Sequence, residues 1–176
     1  YNRMIGKKLP GAGWITYSYD KGDRVIFSQD GEKAAKTPKE WTFYLYDRQG
    51  RQVVQGTGTN SKTAVSNRLV TVDGTYTLGT GVGGSGYISN FEITSPVVHL
   101  SNYYDYYSFR NWTGFNNANF PQETVPARGL LTATVTTILD SSTKLYSAYY
   151  YDAEGRIINT VSSNHMGGYD KITTTY

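Results

Sequence analysis

The chain has no cysteine, which rules out a disulfide framework and any thiolate metal site. Charge is sparse. Asp, Glu, Lys and Arg make up 18% of the 176 residues, and the net charge is only +3. The basic residues are scattered, Lys7-Lys8 being the one adjacent pair. Nucleic-acid binders cluster such residues on one face, so a nucleic acid is not the expected partner. No apolar run approaches the ~20 residues of a membrane-spanning helix. Nor does any segment of a dozen residues hold a 3.6-residue apolar period. "GEKAAKTPKEW" (Gly31 to Trp41) has helix formers, but Pro38 interrupts it, which predicts a loop with at most one helical turn. The opening "YNRMIGKKLPG" has neither an initiator Met nor a signal-peptide pattern, and the chain reads as a piece of a longer protein.

What is abundant is tyrosine and glycine, with 17 and 19 residues, together with Thr, Ser and Asn. Aromatic and β-branched residues favour strands, and Gly and Asn favour turns. The expectation is an all-β, antiparallel chain of hairpins forming a twisted or curled sheet. Alternation and turn signals predict strands at Trp14–Asp20, Arg24–Gln29, Trp41–Asp47, Gln52–Gly56, Arg68–Val72, Tyr76–Leu78, Tyr87–Ile93 and Val97–Tyr104. They predict further strands at Leu130–Leu139, Lys144–Asp152, Arg156–Ser162 and Lys171–Thr175. The longest irregular stretch runs from Arg110 to Gly129.

One pattern recurs. "YSYDKGDRVIFSQDG" starts at Tyr17, "YLYDRQGRQVVQGTG" at Tyr44 and "YYYDAEGRIINTVSS" at Tyr149. The shared positions are Tyr17, Tyr19, Asp20 and Arg24; Tyr44, Tyr46, Asp47, Gly50 and Arg51; and Tyr149, Tyr151, Asp152, Gly155 and Arg156. "NRMIGKKLPG" looks like the back half of another copy, with Arg3 in the arginine place. "NYYDYYSF" (Asn102 to Phe109) keeps Tyr-Tyr-Asp and lacks the Gly-Arg, as a degenerate copy would.

Each residue type has a physical reason to sit where it does. Tyr-x-Tyr puts two rings on one strand face. The Asp carboxylate can accept N–H bonds from the residues that follow and start a turn. Gly takes the left-handed conformation after a type I turn. In that register Asp152 lies opposite Arg156, Tyr151 faces Ile157 and Tyr150 faces Ile158. The arginine can then pair with the aspartate or lie over a tyrosine ring. In the first copy glycine falls one place early, so either Asp23 takes the left-handed position, which Asp tolerates better than most residues, or the turn type differs.

Tyr-x-Tyr-Asp-x-x-Gly-Arg, repeated three times, resembles the YD repeat of RHS-family proteins. "LYSAYYYDAEGRIINTVSSNHMGGYD" and "KLPGAGWITYSYDKGDRVIFSQDG" are similar in particular to RHS proteins of Bacteroides-type bacteria. The likeness covers about residues 3–56 and 130–170, with a degenerate repeat and aromatic loop at about 57–129, in a single repeat fragment spanning 1–176. It implies a segment of a long secreted or cell-surface protein whose repeats form a continuous β-shell. Such shells often enclose a toxin, and relatives act in adhesion. The partners implied are the remaining repeats of the same longer protein. The family's self-cleavage motif begins Asp-Pro, and none of the five prolines here follows Asp.

Other chemistry has thin support. "GVGGSG" (Gly81 to Gly86) matches a dinucleotide fingerprint, but a strand-like "YISNFEI" follows where a helix should open, so a hairpin tip is expected. His99 and His165 are the only histidines, too few for the usual three or four metal ligands, and no cofactor or metal is expected. There is no G-x-S-x-G nucleophile motif. Asp152 and Glu154 sit in one turn, and only the Asp recurs between copies, which favours capping over catalysis. The sequon Asn111-Trp112-Thr113 matters only in a eukaryotic secretory context. The best binding candidate is the aromatic group Tyr103, Tyr104, Tyr106, Tyr107, Phe109, Trp112 and Phe115, with Tyr103, Tyr104, Tyr106, Trp112 and Phe115 as its core. Exposed, it could stack on a glycan or dock a protein; otherwise it packs a half-buried sheet.

Overall fold

The computed structural model describes residues 2–60, 65–74, 77, 79–111, 115, 118–122 and 125–176, the side chains of 110 and 111 excepted. The fold is all-β and antiparallel, as the composition predicts. The chain forms two compact units, residues 1–75 with 80–98 and residues 76–79 with 99–176. No helix among the described residues is long and apolar enough to cross a membrane.

In the first unit β1 (Gly6–Lys8), β2 (Trp14–Tyr19), β3 (Val25–Gln29), β4 (Trp41–Tyr46) and β5 (Gln52–Gly58) lie side by side in sequence order. Between β3 and β4, α1 (Gly31–Ala35) is a single helical turn capped by Asp30, whose carboxylate accepts the Lys33 N–H at 2.8 Å. Alternation in β4 is strict. Trp41, Phe43 and Leu45 are buried, while Thr42, Tyr44 and Tyr46 stay half-buried on the other face. Gly56 of β5 has a packing reason, since a Cβ there would lie 2.2 Å from Val97 O and 2.7 Å from the Phe43 ring. Past β5, a two-stranded ribbon of β6 (Val72–Gly74) and β7 (Tyr87–Ser89) forms, and Val65, Val70, Phe91 and Ile93 are buried around it. Phe91 meets Phe27 edge-on at 6.0 Å. Asn60 ties the segment down, accepting from Thr94 N–H at 2.7 Å and donating to Glu92 O at 2.6 Å.

β8 (Val97–Asp105) leads into the second unit. There β9 (Ala127–Thr137), β10 (Lys144–Tyr151), β11 (Ile157–Ser163) and β12 (Tyr169–Thr173) continue in sequence order after it. β1 and β12 each have one neighbour, so neither run of strands closes on itself.

Several predicted elements need correction. β1 is a strand that its two lysines disguise. The run predicted at Arg68–Val72 is a strand only from Val72 to Gly74, because Arg68 and Val70 are committed to a turn contact described below. The run predicted at Tyr87–Ile93 pairs only through Ser89, after which Asn90 folds back onto Leu69 O and Thr71. Tyr76 and Leu78 lie outside the described residues.

The predicted register also changes. Tyr151 does face Ile157, but Tyr150 faces Asn159 rather than Ile158. Ile158 is the extra residue of a β-bulge. The same slip occurs at Ile26 and at Val53, always two places after the arginine. A bulge places two residues against one and breaks the alternation. This accounts for the consecutive buried pairs Ile26-Phe27 and Val53-Val54, which a regular strand would send to opposite faces.

Candidate functional site: the repeated Asp–Arg–Tyr turn

The three complete copies close in the same way. In the third, Asp152 N–H donates to Arg156 O at 3.0 Å and Gly155 N–H to Asp152 O at 3.1 Å, with Gly155 at φ 78°. Asp152 Oδ1 accepts from the N–H of Glu154 (3.0 Å) and of Arg156 (2.8 Å), and Oδ2 accepts from Arg156 Nε at 2.7 Å. Asp47 repeats this with Gln49 and Arg51 N–H, both at 2.9 Å, and Arg51 Nε at 2.7 Å. Asp20 repeats it with Gly22 and Arg24 N–H and with Arg24 Nε at 3.1 Å. The early glycine of that copy is absorbed without a change of turn frame, with Asp23 taking φ 62° in the left-handed place. One carboxylate therefore caps the turn and fixes the arginine through charge-assisted bonds.

The arginine has a second contact, on the next strand. Arg24 lies 5.0 Å from the Tyr46 ring centroid, and Tyr46 OH donates to Val25 O at 3.1 Å. Arg3 lies 5.6 Å from the Tyr19 ring, and Tyr19 OH donates to Met4 O at 2.9 Å. Arg156 lies 4.8 Å from the Tyr176 ring, and Tyr176 OH donates to Ile157 O at 3.3 Å. In each case a tyrosine covers the arginine of the preceding hairpin and bonds the carbonyl one residue after it. Arg3 thus occupies the arginine place, as its sequence context predicts, and Tyr176 plays a part that the sequence did not single out. The first tyrosines, Tyr17, Tyr44 and Tyr149, are half-buried; Lys7 approaches the Tyr17 ring and Tyr44 OH meets Ser28 Oγ at 3.2 Å.

The degenerate copy is more complete than its sequence suggests. Tyr104 faces Leu131 and Tyr103 faces Ala133, with Thr132 as the bulge between them. Asp105 is therefore the turn aspartate, Gly129 (φ 80°) the left-handed glycine, and Leu130 stands in the arginine place. Gly129 N–H reaches Asp105 Oδ1 at 2.6 Å. Tyr151 OH donates to Leu131 O at 2.6 Å, the same tyrosine-to-carbonyl bond made elsewhere beside an arginine. Where the regular copies have two residues between Asp and Gly, this hairpin carries residues 106–128. Thr132 Oγ1 anchors the entry to that segment by donating to Tyr106 O at 2.7 Å.

The turn-like segment "SSNHMGGYD" around His165 is a further copy of the same turn. Asn164 Oδ1 accepts from Met166 and Gly168 N–H at 3.1 and 2.8 Å, and Gly167 takes φ 81°. Asn replaces the Asp and Gly168 replaces the Arg, so no letter but one glycine recurs. His165 is exposed within this turn, and His99 is half-buried in β8. Among the described residues no three His, Asp or Glu side chains come together as a metal site.

The aromatic candidates separate clearly. Tyr103 is 2% exposed and Phe115 2%, whereas Tyr106 is 59% exposed. Tyr104 is half-buried, and Trp112 lies outside the described residues. Phe109, Phe115 and Phe120 form one buried cluster, with centroids 4.6 Å (Phe109–Phe115) and 5.1 Å (Phe115–Phe120) apart. It packs on strand residues of the second unit. Tyr107 stacks on Tyr150 at 5.3 Å, Phe115 meets Tyr146 at 4.9 Å and Phe120 meets Tyr169 at 5.7 Å. Burial raises the Tyr103 and Tyr146 hydroxyls above the usual tyrosine range, so both stay neutral. "GVGGSG" runs through a 3-10 turn at Val82–Gly84 and leads into strand β7, without the helix a dinucleotide site needs.

The three turns differ in setting. Asp20 is fully buried and also accepts Val70 N–H at 3.2 Å, while Arg24 donates to Val70 O at 2.7 Å and Lys21 N–H to Arg68 O at 2.9 Å. Burial alone would raise the Asp20 carboxyl, but the Arg24 bonds and the Val70 N–H outweigh it and hold its pKa below the usual value. Asp152 is lowered in the same way, loss of hydration being outweighed by Arg156. Against known proteins, the chain matches no protein-family model and no curated sequence.

Proposed function

We propose that the chain is a non-enzymatic structural segment of a secreted or cell-surface RHS-type repeat protein, a stretch of shell or scaffold serving toxin delivery or cell–cell contact. One observation carries this proposal. The Asp, Arg and Tyr of the repeat are spent on one another, copy after copy. Asp47 and Asp152 each accept three hydrogen bonds from their own turns, and Asp20 accepts bonds from both its turn and the Val70 N–H. A general base needs an accessible lone pair within reach of a substrate proton. These carboxylates instead close hairpins, and Tyr19, Tyr46, Tyr151 and Tyr176 each bond the main chain of the hairpin segment before them.

The alternative is an adhesion module that binds a glycan or a surface protein through aromatic side chains. Tyr106 is the described member of the aromatic group whose exposure favours it. A glycan array together with binding to whole bacterial and animal cells separates the two. The scaffold reading expects no saturable binding. Saturable binding that Tyr106→Ala abolishes, with the thermal midpoint unchanged, would replace it with the adhesion reading.

A further inference from the structure

Among the described residues, those that carry a Cβ and take left-handed backbone are Asp23, Ser95, Asp105 and Asp140. Aspartate tolerates this region because its short carboxylate can bond the nearby main chain. Ser95, at φ 48° between β7 and β8, is the exception. Pro96 follows it, and a residue before proline is pushed toward extended backbone with negative φ. Such strain persists only where the surroundings hold it, and it clusters at reactive sites.

The surroundings here are specific. Asn60 is buried; it accepts the Thr94 N–H at 2.7 Å and donates to Glu92 O at 2.6 Å, which fixes the chain just before the serine. Thr94 O is the carbonyl oxygen of the Thr94–Ser95 bond. It accepts from the Thr59 N–H at 3.0 Å and from the Thr59 hydroxyl at 3.5 Å. Gly58 makes room for that oxygen, since a Cβ there would lie 2.9 Å from it. Two donors aimed at one carbonyl oxygen stabilise the charge that develops on it when the carbon is attacked.

The left-handed backbone also changes what the serine can reach. At a φ of about −60° the Cβ of an L-residue stands anti to the carbonyl carbon before it. At φ 48° it stands gauche to that carbon, so rotation about χ1 alone brings Oγ over it. Thr94 and Ser95 are both exposed, and among the described residues none bonds the Ser95 hydroxyl. An unengaged hydroxyl, a carbonyl with two donors on its oxygen and a strained link between them therefore share one peptide bond.

We infer that the Thr94–Ser95 bond is a self-cleavage site that opens by an N-to-O acyl shift. Ser95 Oγ attacks the Thr94 carbonyl carbon, the C–N bond breaks, and the hydroxyl proton passes to the Ser95 nitrogen. Thr94 is left as an ester on Ser95. Water then hydrolyses the ester to a Thr94 carboxylate and restores the Ser95 hydroxyl. Relief of the left-handed strain favours the forward step. The nucleophile is a serine and Pro96 does not follow Asp, so this chemistry is separate from the Asp-Pro self-cleavage of RHS proteins. The bond lies outside β7 and β8, and its opening cuts no strand. Each chain reacts once, on itself, so the scaffold reading and the cleavage stand or fall separately.

The test incubates the folded full chain at neutral pH over days, with and without hydroxylamine, and reads intact mass under denaturing conditions. Hydroxylamine traps an ester as a hydroxamate, and the chain has no Asn-Gly pair for it to cleave instead. The parent should yield fragments 1–94 and 95–176, with fragment 1–94 carrying the hydroxamate when the trap is present. Ser95→Ala should stay whole. Ser95→Cys should cleave faster than the parent, through a thioester, because sulfur is the stronger nucleophile. Thr59→Val keeps the N–H donor and loses the hydroxyl, and should slow cleavage about tenfold. A parent that stays whole in hydroxylamine, Ser95→Ala cleaved at the parent's rate, or Thr59→Val as fast as the parent overturns the inference.

Discussion

Two hairpins of the second unit share a turn frame and differ in what fills it. Between Asp152 and Gly155 stand two residues; between Asp105 and Gly129 stands segment 106–128. Both keep the bulge, the left-handed glycine and the tyrosine facing the residue after the arginine place. Only the short one keeps the arginine. The difference teaches that strand register and the tip are separable. Where the tip is short, an ion pair across the turn organises it. Where it is long, Tyr107 stacks on Tyr150 while Phe109 packs on Phe115, Phe115 on Tyr146 and Phe120 on Tyr169, and Leu130 can stand in the arginine place.

The sharpest way to break this comparison is to empty the long tip. Phe120→Ala, at a fully buried ring, should cost about 3–5 kcal/mol in chemical denaturation. Glu154→Ala in the short tip should leave the denaturation midpoint nearly unchanged. If Phe120→Ala were equally silent, segment 106–128 would be an ornament rather than a packed element.

Next in size is the contrast between turns. Asp20→Ala would strand the Arg24 guanidinium and the Val70 N–H in a buried site, at about 2–4 kcal/mol. Asp152→Ala removes the same turn bonds in a solvated setting and should shift the midpoint visibly less. Equal shifts would mean that contact with Val70 adds nothing to the first turn.

Acid should show the same bonds. Asp20 and Asp152 both have folded-state pKa values below the ordinary aspartate value. Below about pH 4 the unfolded chain therefore binds more protons than the folded one, and stability falls as pH falls through the lowered values. The stability they contribute is fully present above that window. Denaturation midpoints between pH 5 and pH 2 should decline in the parent and decline less in Asp20→Asn.

The smallest effect tests the equivalence of the two glycines. Gly129 is at φ 80° with nothing within 4 Å of an added Cβ, and Gly155 at φ 78° would meet only Leu130 Cδ1 at 3.7 Å. Each Gly→Ala change should therefore carry little beyond left-handed strain, about 1 kcal/mol. Unequal costs would argue that the long hairpin closes by other means.

What the sequence showed and what it hid follow from the range of the interactions. The Asp, Gly and Arg of the three regular copies were legible because their bonds span four residues, and the turn chemistry is local. The register was half legible. Tyr151 against Ile157 follows from the turn, but the bulge after it depends on neighbouring strands. Its trace in the sequence is the adjacent apolar pair two and three places after the arginine, as in Ile26-Phe27 and Val53-Val54. The segment around Asn164 reads as a turn, but its kinship with the other copies was hidden by substitution of both polar residues. The long hairpin was hidden by distance, since Asp105 and Gly129 are joined only by the fold. The aromatic residues near Phe115 gave no period to read, so their burial could not be told from exposure. β1 was hidden by Lys7 and Lys8, whose charge suits an edge strand.

The central claim is that arginine and tyrosine link one hairpin to the next. The direct measurement is a double-mutant cycle on Arg24→Gln and Tyr46→Leu by urea denaturation. The account predicts a coupling of about 1 kcal/mol, because the ring at 5.0 Å and the Tyr46 hydroxyl bond serve the same arginine segment. Strictly additive losses, with coupling indistinguishable from zero, would contradict it.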